Sequence, residues 1–249
     1  MSKFNFMNKL TLVTLLIPFS IWSQSPIQCD RPDQTETPFT VPKGRFQIES
    51  GFSYKKDLDH NNYSVPSSLS KFGLTQKLEL RLITEWNIEN YDNTQNSGLQ
   101  PIQLGFKINF CDEKKGRPKT SLIAHITIPK WASADYQSNY FMPNFRFTMQ
   151  HTLSEKLSLG YNLGAQWDAE DRRRTWLYTA TLGYSLSNKL GCYAEVFGFA
   201  PQFESANQSV DGGFTYLISD DFMLDLSAGK RIAGATAEYY TALGLSFRI

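Results

Sequence analysis

From residue 44 to the C-terminus, the sequence alternates apolar and polar residues with a period of two. Leu78 and Leu80, for example, alternate with Glu79 and Arg81. Successive side chains of a strand point to opposite faces, whereas a helix would spread this pattern around its circumference. The region therefore predicts an all-β fold in which each strand has one apolar face and one polar face.

The alternating segments are long. Each keeps its alternation for roughly 9–11 residues, which is the length that a tilted strand needs to cross a bilayer. Alternation alone also fits a soluble β-sandwich or a lipocalin-like barrel, but soluble strands are commonly about half this length. The prediction is a 12-stranded antiparallel up-and-down transmembrane β-barrel of the outer-membrane type. Its strands are expected at residues 44–55, 64–74, 78–88, 99–110, 120–129, 140–153, 157–168, 174–186, 190–199, 208–218, 222–231 and 239–249.

Short and long connections alternate between these strands. Residues 74–78, 153–157, 186–190 and 218–222 are variants of one tight turn. Longer polar connections are expected near residues 55–63, 89–98, 130–139, 168–174, 200–208 and 231–238. Short periplasmic turns and longer external loops are typical of outer-membrane barrels, and an even strand number places both termini in the periplasm.

Aromatic side chains fall at the strand ends and predict two belts at the membrane interfaces. The outer belt comprises Tyr54, Trp86, Trp167, Trp176 and Tyr239, and the inner belt comprises Phe46, Phe110, Tyr184, Phe222 and Phe247. A soluble sandwich has no reason to sort its rings in this way.

The N-terminus predicts secretion. Lys3 and Lys9 precede an apolar stretch at residues 10–22, and the small residue Ser23 follows it. This order is typical of a signal peptide, and the stretch is too short to span a bilayer as a helix. We therefore predict a signal peptide at 1–23, a periplasmic N-terminal segment at 24–43 and a transmembrane barrel at 44–249. The expected location is the outer membrane of a Gram-negative bacterium, with its lipid and the barrel-insertion machinery as partners.

Composition and motifs argue against several other functions. The formal net charge of +1 gives no reason to expect a nucleic-acid partner. None of His60, His125 and His151 has a serine two residues away, so the His–Ser pair of lipid-hydrolysing barrels is missing. Residues 57–61 begin like an EF-hand loop but lack its turn glycine and final acid. No catalytic residue, metal site or cofactor is predicted.

The three cysteines are Cys29, Cys111 and Cys192, and no pair has the spacing of a zinc or thioredoxin motif. Gln28 stands where a lipoprotein signal requires a small residue, which argues against lipidation of Cys29. Two interpretations stay open, a Cys29–Cys111 disulfide in an oxidising periplasm and three free thiols.

The polar strand faces carry charges of both signs and are expected to line the lumen. These residues are Glu49, Glu79, Arg81, Glu85, Lys107, His125, Arg146, Glu195, Asp211, Asp225 and Arg248. They could form a structural network that fills a narrow barrel, or a polar path that contacts a passing solute, because twelve strands lie between small filled barrels and open porins. We predict a network that also lines a restricted path.

The segment from Asp30 to Gly44 is rich in proline, threonine and acids and is not strand-like. We predict that it folds back into the periplasmic mouth as a plug. Its charged residues are Asp30, Arg31, Asp33 and Glu36, and the acids are expected to meet lumen cations such as Arg146 or Arg248.

Two motifs carry a family resemblance. Residues 30–38, followed by 41–49, resemble the start of the outer-membrane proteins named after the meta-pathway of phenol degradation, and residues 72–81 resemble that family's second-to-third strand hairpin. The resemblance covers essentially the whole mature chain and implies an outer-membrane transporter, with aromatic or hydrophobic compounds as solutes. The family is also similar to the barrel of the functional-amyloid secretion channel, a twelve-stranded trimer. That likeness implies a homotrimer and keeps a structural or secretion-pore barrel as the alternative to a small-molecule channel.

Overall fold

The computed structural model describes residues 25–57, 60–91, 94–234 and 236–249. The predicted signal peptide lies outside these residues. None of the helices that the structure describes is both long and apolar enough to cross a membrane.

In the part of the chain that the structure describes, thirteen antiparallel strands form one sheet that closes on itself. Their bounds are β1 (Phe46–Asp57), β2 (His60–Gly73), β3 (Leu78–Tyr91), β4 (Thr94–Leu99), β5 (Gln103–Cys111), β6 (Lys119–Thr127), β7 (Met142–Thr152), β8 (Leu157–Trp167), β9 (Arg174–Ser185), β10 (Leu190–Pro201), β11 (Asn207–Ser219), β12 (Phe222–Ala233) and β13 (Glu238–Arg248). Consecutive strands pair with each other, except that β4 and β5 both pair with β3, and β1 pairs with β13 to close the ring.

The wall nevertheless has twelve positions. β4 and β5 both pair with β3, β4 along residues 86–91 and β5 along residues 78–83, so they occupy one position that is interrupted at residues 100–102. The predicted twelve-stranded antiparallel barrel is therefore confirmed. The period-two pattern of the sequence had identified a strand at each of these wall positions.

The two rims of the barrel differ. The rim with the short connections at 74–77, 112–118, 153–156, 186–189 and 220–221 also holds the start of β1 and the end of β13, and it is called the turn rim. The opposite rim is called the loop rim. Its longest connection, residues 128–141, contains a single turn of 3₁₀ helix at Ala134–Tyr136.

Two loops were predicted wrongly. Strand pairing continues to Asp57 opposite His60 and to Tyr91 opposite Thr94, although residues 55–63 and 89–98 were expected to be loops. These stretches are polar on both faces, so they lack the alternation that predicts a strand. A hairpin that projects into water needs no apolar face, and its backbone ladder is enough to hold it.

Burial is inverted relative to a water-soluble protein. On the inner face, the side chains of Lys71, Lys107, Glu49 and Glu79 are almost completely buried, whereas on the outer face Leu243 is 58% exposed. Charged residues are almost never fully buried unless they are paired, and a wide band of exposed apolar side chains is unfavourable in water. This distribution is that of a barrel surrounded by lipid hydrocarbon.

The residues predicted to form aromatic belts lie near the strand ends. Trp86, Trp176 and Tyr239 are exposed towards the loop rim, and Phe110 and Tyr184 are exposed towards the turn rim. The other five are half-buried, namely Tyr54, Trp167, Phe46, Phe222 and Phe247. Their role at the lipid interfaces stays a prediction.

The outer face offers a direct test of the lipid environment. Leu243 is in the middle of β13, and replacing it by arginine is expected to lower the free energy of unfolding in lipid vesicles by about 2–4 kcal/mol, because the charge would face hydrocarbon. Urea titration followed by tryptophan fluorescence measures this loss. Leu153 is similarly exposed but lies at the turn rim, so Leu153→Arg is the matched control and should cost about 0–1 kcal/mol. Equal losses for the two variants would contradict a bilayer centred on the strands.

Candidate functional site

Residues 25–45 are called the lumen segment, because their central part lies inside the barrel while both ends are exposed at its mouth. Near its start, the Ile27 N–H donates to the Asp220 carbonyl at the turn rim (2.7 Å), and its last residues lead directly into β1. In between, the chain doubles back on itself, because the N–H and the hydroxyl of Thr37 both donate to the Asp30 carboxylate (2.9 and 3.2 Å). The segment is therefore a hairpin-like insertion that enters and leaves at the turn rim.

The lumen segment bonds to almost the whole circumference of the barrel. Its hydrogen bonds and ion pairs reach eleven of the twelve wall positions, through Glu49 of β1, Lys71 of β2, Arg81 of β3, Lys107 of β5, Ser121 of β6, Arg146 of β7, Asn162 of β8, Thr179 of β9, Glu195 of β10, Asp225 of β12 and Arg248 of β13. The space along the barrel axis is thus occupied by this segment rather than by wall side chains alone.

Three buried cations converge on Asp30. Its carboxylate accepts hydrogen bonds from Lys71 Nζ (3.0 Å), Arg81 Nη1 (2.9 Å) and Lys107 Nζ (2.8 Å). Burial by itself would raise the pKa of Asp30, but Lys107, Lys71 and Arg81 outweigh it and hold that pKa well below its usual value. The three cations are called the Asp30 receptor.

Glu36 forms the tip of the segment and is the second anion in the cluster. It pairs with Arg81 Nη2 (2.6 Å) and Arg146 Nη1 (3.2 Å). Asn162 fixes the backbone of the same residue, because its side-chain oxygen accepts from the Glu36 N–H (2.8 Å) and its amide donates to the Glu36 carbonyl (2.9 Å). Arg81 therefore joins Asp30 and Glu36 through different nitrogens.

Two acids of the wall complete this cluster. Glu49 pairs with Lys71 and also accepts the Asp30 N–H (2.8 Å), while Glu79 pairs with Arg81 (3.0 Å). A buried charge is tolerated only when it is paired and hydrogen-bonded. With the cations Lys71, Arg81, Lys107 and Arg146 against the acids Glu49, Glu79, Asp30 and Glu36, the cluster has four charges of each sign.

The other side of the segment meets acids of the wall. Arg31 binds Asp225 through two nitrogens (Nε 3.2 Å and Nη2 2.9 Å). Glu195 accepts the Gln34 N–H (2.7 Å) and the Thr35 hydroxyl. Bidentate pairs between arginine and a carboxylate are among the stronger polar contacts in proteins.

Two glycines make room for Arg31. Gly51 of β1 and Gly244 of β13 are cross-strand partners, and a Cβ atom on either would collide with the Arg31 guanidinium. The close approach of this side chain to the wall thus requires residues without side chains at these two positions.

Three further acids of the wall lie opposite the cations that bind Asp30 and Glu36, whereas Glu49 and Glu79 lie among those cations. Counting β4 and β5 as one position, the cations lie on wall positions two, three, four and six, and Glu195, Asp211 and Asp225 lie on positions nine to eleven of a ring of twelve. The lumen segment lies between them, turning Asp30 and Glu36 towards the cations and Arg31 towards the acids.

Most of the predicted lumen residues are buried in the barrel interior. Buried are Glu49, Glu79, Arg81, Lys107, His125, Glu195, Asp211, Asp225 and Arg248, and half-buried are Glu85 and Arg146. His125 accepts from Arg81 Nε (3.1 Å), whereas Glu85 accepts from the Ser64 hydroxyl. The structure thus places these side chains in the barrel interior. That they contact a solute stays a prediction.

The acids of the lumen segment were predicted to meet lumen cations such as Arg146 or Arg248, and Glu36 does pair with Arg146 (3.2 Å). Arg248, the other cation named, does not meet these acids: it pairs with Asp221 (2.6 Å) and donates to the Ser25 carbonyl (2.9 Å). The physical reason is its position at the end of β13, which places it at the turn rim. Asp30 and Glu36 are bonded deeper in the barrel.

Several interior residues were not identified from the sequence. Lys71, Asn162 and Thr179 all bind the lumen segment. Lys71 had a usable signal, because it lies directly opposite Arg81 across the predicted hairpin of residues 72–81. Asn162 and Thr179 are neutral residues in alternating strands, and nothing in their local sequence distinguishes them.

A cavity of about 400 Å³ separates the lumen segment from the wall at β7–β11. It reaches from the turns at residues 154–156 and 187–189 up to the tip of the segment at Thr35 and Glu36, and Asp33 lines it. Small residues such as Gly160 and Gly183 form the wall there. The segment thus lies against one side of the barrel and leaves a space on the other side that opens towards the turn rim.

The cysteines are all free thiols, so the Cys29–Cys111 disulfide is not formed. Cys29 is buried in the lumen segment beside Gln47, whereas Cys111 lies at the end of β5 beside Pro118. Burial raises the pKa of the Cys29 thiol, which therefore stays protonated and unreactive while the segment is in place.

The chain matches a known sequence family over most of its length. The family model described as "Putative MetA-pathway of phenol degradation" matches residues 29–249, which is most of the chain. Among curated protein sequences, none is significantly similar to this chain.

Comparison with solved structures shows the fold. An outer-membrane channel of the COG4313 group from Pseudomonas putida F1 superposes with a TM-score of 0.66 at 12% identity, covering 85% of this chain and 97% of the other. The NanC porin gives 0.55 at 10% identity, with 80% and 98% covered. The translocator domain of the autotransporter NalP from Neisseria meningitidis gives 0.50 at 9%, with 84% and 90% covered. Identities this low establish a shared barrel fold and no more.

The glycines beneath Arg31 generate a prediction. With Cys111 and Cys192 replaced by serine, the rate at which a hydrophilic maleimide labels Cys29 reports how often the lumen segment leaves its place. Gly244→Leu fills the space of the Arg31 guanidinium. We expect it to raise the labelling rate by about tenfold or more, since about 1.4 kcal/mol of lost local stability corresponds to a factor of ten.

Ala242→Leu is the matched control, because Ala242 lies two residues along β13 towards the loop rim on the same inner face. Its labelling rate should stay near that of the parent protein. If Gly244→Leu also left the rate unchanged, the seating of Arg31 would not hold the segment.

Proposed function

Because the chain belongs to the family described as "Putative MetA-pathway of phenol degradation", we propose that it is an outer-membrane channel for small molecules whose lumen is closed by residues 25–45. The family match, over residues 29–249, confirms the resemblance inferred from the two sequence motifs. We take the solutes to be small organic compounds, with aromatic compounds as the class that the family description suggests.

The observation that carries this proposal is the nature of the material that fills the lumen. A small barrel of about eight strands can fill its interior with wall side chains, but twelve strands enclose a wider space. Here the wall carries glycines, and a separate stretch of chain occupies the space beside Gly51, Gly160 and Gly244. Its hydrogen bonds and ion pairs can be broken and formed again, and withdrawal of the segment would leave a polar passage.

The orientation follows from the rims. Short turns face the periplasm in outer-membrane barrels, so we place the turn rim, the lumen segment and both ends of the mature chain on the periplasmic side. Residues 1–23 would be removed on secretion, and the barrel-insertion machinery would insert the remainder. The homotrimer implied by the likeness to the amyloid secretion channel stays a prediction.

We assign no catalytic role to the interior. The polar side chains there bind one another and the lumen segment, and the structures of the same fold include a channel and a porin. The charged residues of the lumen are therefore interpreted as contacts for the segment and for a solute.

Removing the plug tests the function. Deletion of residues 26–40 takes away Arg31, Glu36 and the chain that fills the axis, and it should raise the single-channel conductance in planar bilayers severalfold. Heat-modifiable mobility in gels controls for a folded barrel. In liposome swelling, the deleted form should admit small sugars at rates that fall with solute size.

Unchanged conductance of a folded deletion variant would contradict the plug. Absence of solute-dependent swelling in both the deleted and the full-length protein would contradict a small-molecule channel. That second result would favour the alternative, a structural or secretion-pore barrel.

A further inference from the structure

The Asp30 receptor has the composition of a binding site for one carboxylate. Lys71, Arg81 and Lys107 belong to the rigid wall, on the adjacent positions of β2, β3 and β5. Their side chains are at most 1% exposed, and all three reach a single carboxylate within 3.0 Å. Lysine and arginine bind carboxylates with short, charge-assisted hydrogen bonds.

The wall alone leaves this receptor short of one negative charge. Lys71, Arg81 and Lys107 contribute three positive charges, and their wall partners Glu49 and Glu79 contribute two negative ones, so the excess is one positive charge. Asp30 supplies the missing charge from the lumen segment. An uncompensated buried charge is costly, so the receptor needs an anion in either state of the channel.

We infer that the Asp30 receptor is the solute-binding site of the open channel, and that Asp30 occupies it as an internal mimic of a small organic monocarboxylate. This inference rests on the proposed channel function and names its substrate class. The solute carboxylate would take the place of the Asp30 carboxylate on Lys71 and Lys107. Binding of the solute and seating of the segment then exclude each other.

Arg81 links the Asp30 receptor to the tip of the segment. Arg81 holds Asp30 through Nη1 and Glu36 through Nη2, and Arg146 holds Glu36 from β7. A carboxylate that displaces Asp30 therefore removes one of the two anions that Arg81 holds in place. Because a ligand shifts a conformational equilibrium by its differential affinity for the two states, anion binding at the receptor favours release of the segment.

The test uses Cys29 as a reporter in the Cys111→Ser, Cys192→Ser protein, folded and reconstituted at full length. Benzoate is the probe, benzamide is its neutral isostere, and ionic strength is held constant with sodium chloride. Benzoate should raise the maleimide labelling rate of Cys29 severalfold and saturably, and benzamide at the same concentrations should not. Equal effects of the two compounds, or none, would overturn the inference.

Charge variants separate a binding site from a merely structural cluster. Asp30→Asn removes the mimic and leaves the receptor charge uncompensated, so benzoate should act at concentrations about tenfold lower than in the parent. Lys107→Met removes the excess charge, so the benzoate response should be lost. In the double variant Asp30→Asn, Lys107→Met the receptor is again neutral. Its labelling rate without benzoate should therefore be lower than that of Asp30→Asn, and benzoate should not raise it. Lys230, which is exposed on the outer face of β12, provides the matched control Lys230→Met, which should respond like the parent.

Two outcomes distinguish an error in the carboxylate site from an error in the proposed channel function. If deletion of residues 26–40 opens the barrel to neutral sugars while benzoate leaves Cys29 labelling unchanged, the channel stands and the carboxylate assignment falls. If benzoate accelerates labelling in Lys107→Met as much as in the parent, the receptor is not the site of its action.

Discussion

The ion pairs between Asp30 and Lys71, Arg81 and Lys107 are the interaction on which the interior of this barrel depends. The outer face must be largely apolar to lie in lipid, so most charged side chains in the middle of the strands point inwards. Charges collected there cannot remain unpaired in a space from which most water is excluded. The wall carries more cations than acids in this region, and the lumen segment provides the remaining anions. The apolar outer face thus leads to a charged lumen, and the charged lumen in turn determines where the segment lies.

The barrel and its insert differ in how they are held. The wall is joined by backbone ladders that run around the ring and close through β1 and β13, and its opening would break many hydrogen bonds at once. The lumen segment is held by side chains of the wall, by polar contacts and by the fit of Arg31 against Gly51 and Gly244. Local openings of a protein draw on its less stable parts, so the segment can leave while the wall stays folded. Backbone hydrogen bonds between the strands hold the wall together, so the barrel needs no apolar core. Its interior can therefore be polar, which accounts for the inverted burial.

The strands and their number could be predicted because a period of two is a local property of the chain. The ends of the external hairpins could not, since residues 55–63 and 89–98 are polar on both faces and read as loops. The polar inner faces predicted a charged interior, and the proline-rich composition of residues 30–44 predicted a segment that is not a strand. Individual partners depend on register across the barrel, which local pattern does not contain. For this reason, of the two cations predicted to meet the acids of the segment, Arg146 does and Arg248 does not, and Lys71 was missed. The two opposed sets of charges became visible only when the ring closed.

A polar insert suits a channel better than an apolar one would. Hydrogen bonds and ion pairs between the insert and the wall can be exchanged for similar ones with water or with a solute, so their net contribution to stability is small relative to their number. An apolar insert would expose its own surface on leaving and would leave an apolar wall facing water, and both losses oppose opening. The insert here is rich in charges, threonines and prolines, is joined to the wall by no disulfide among its described cysteines, and leaves a cavity at its side. The cost of opening is therefore concentrated in a few buried charges, and only a partner that satisfies those charges removes it.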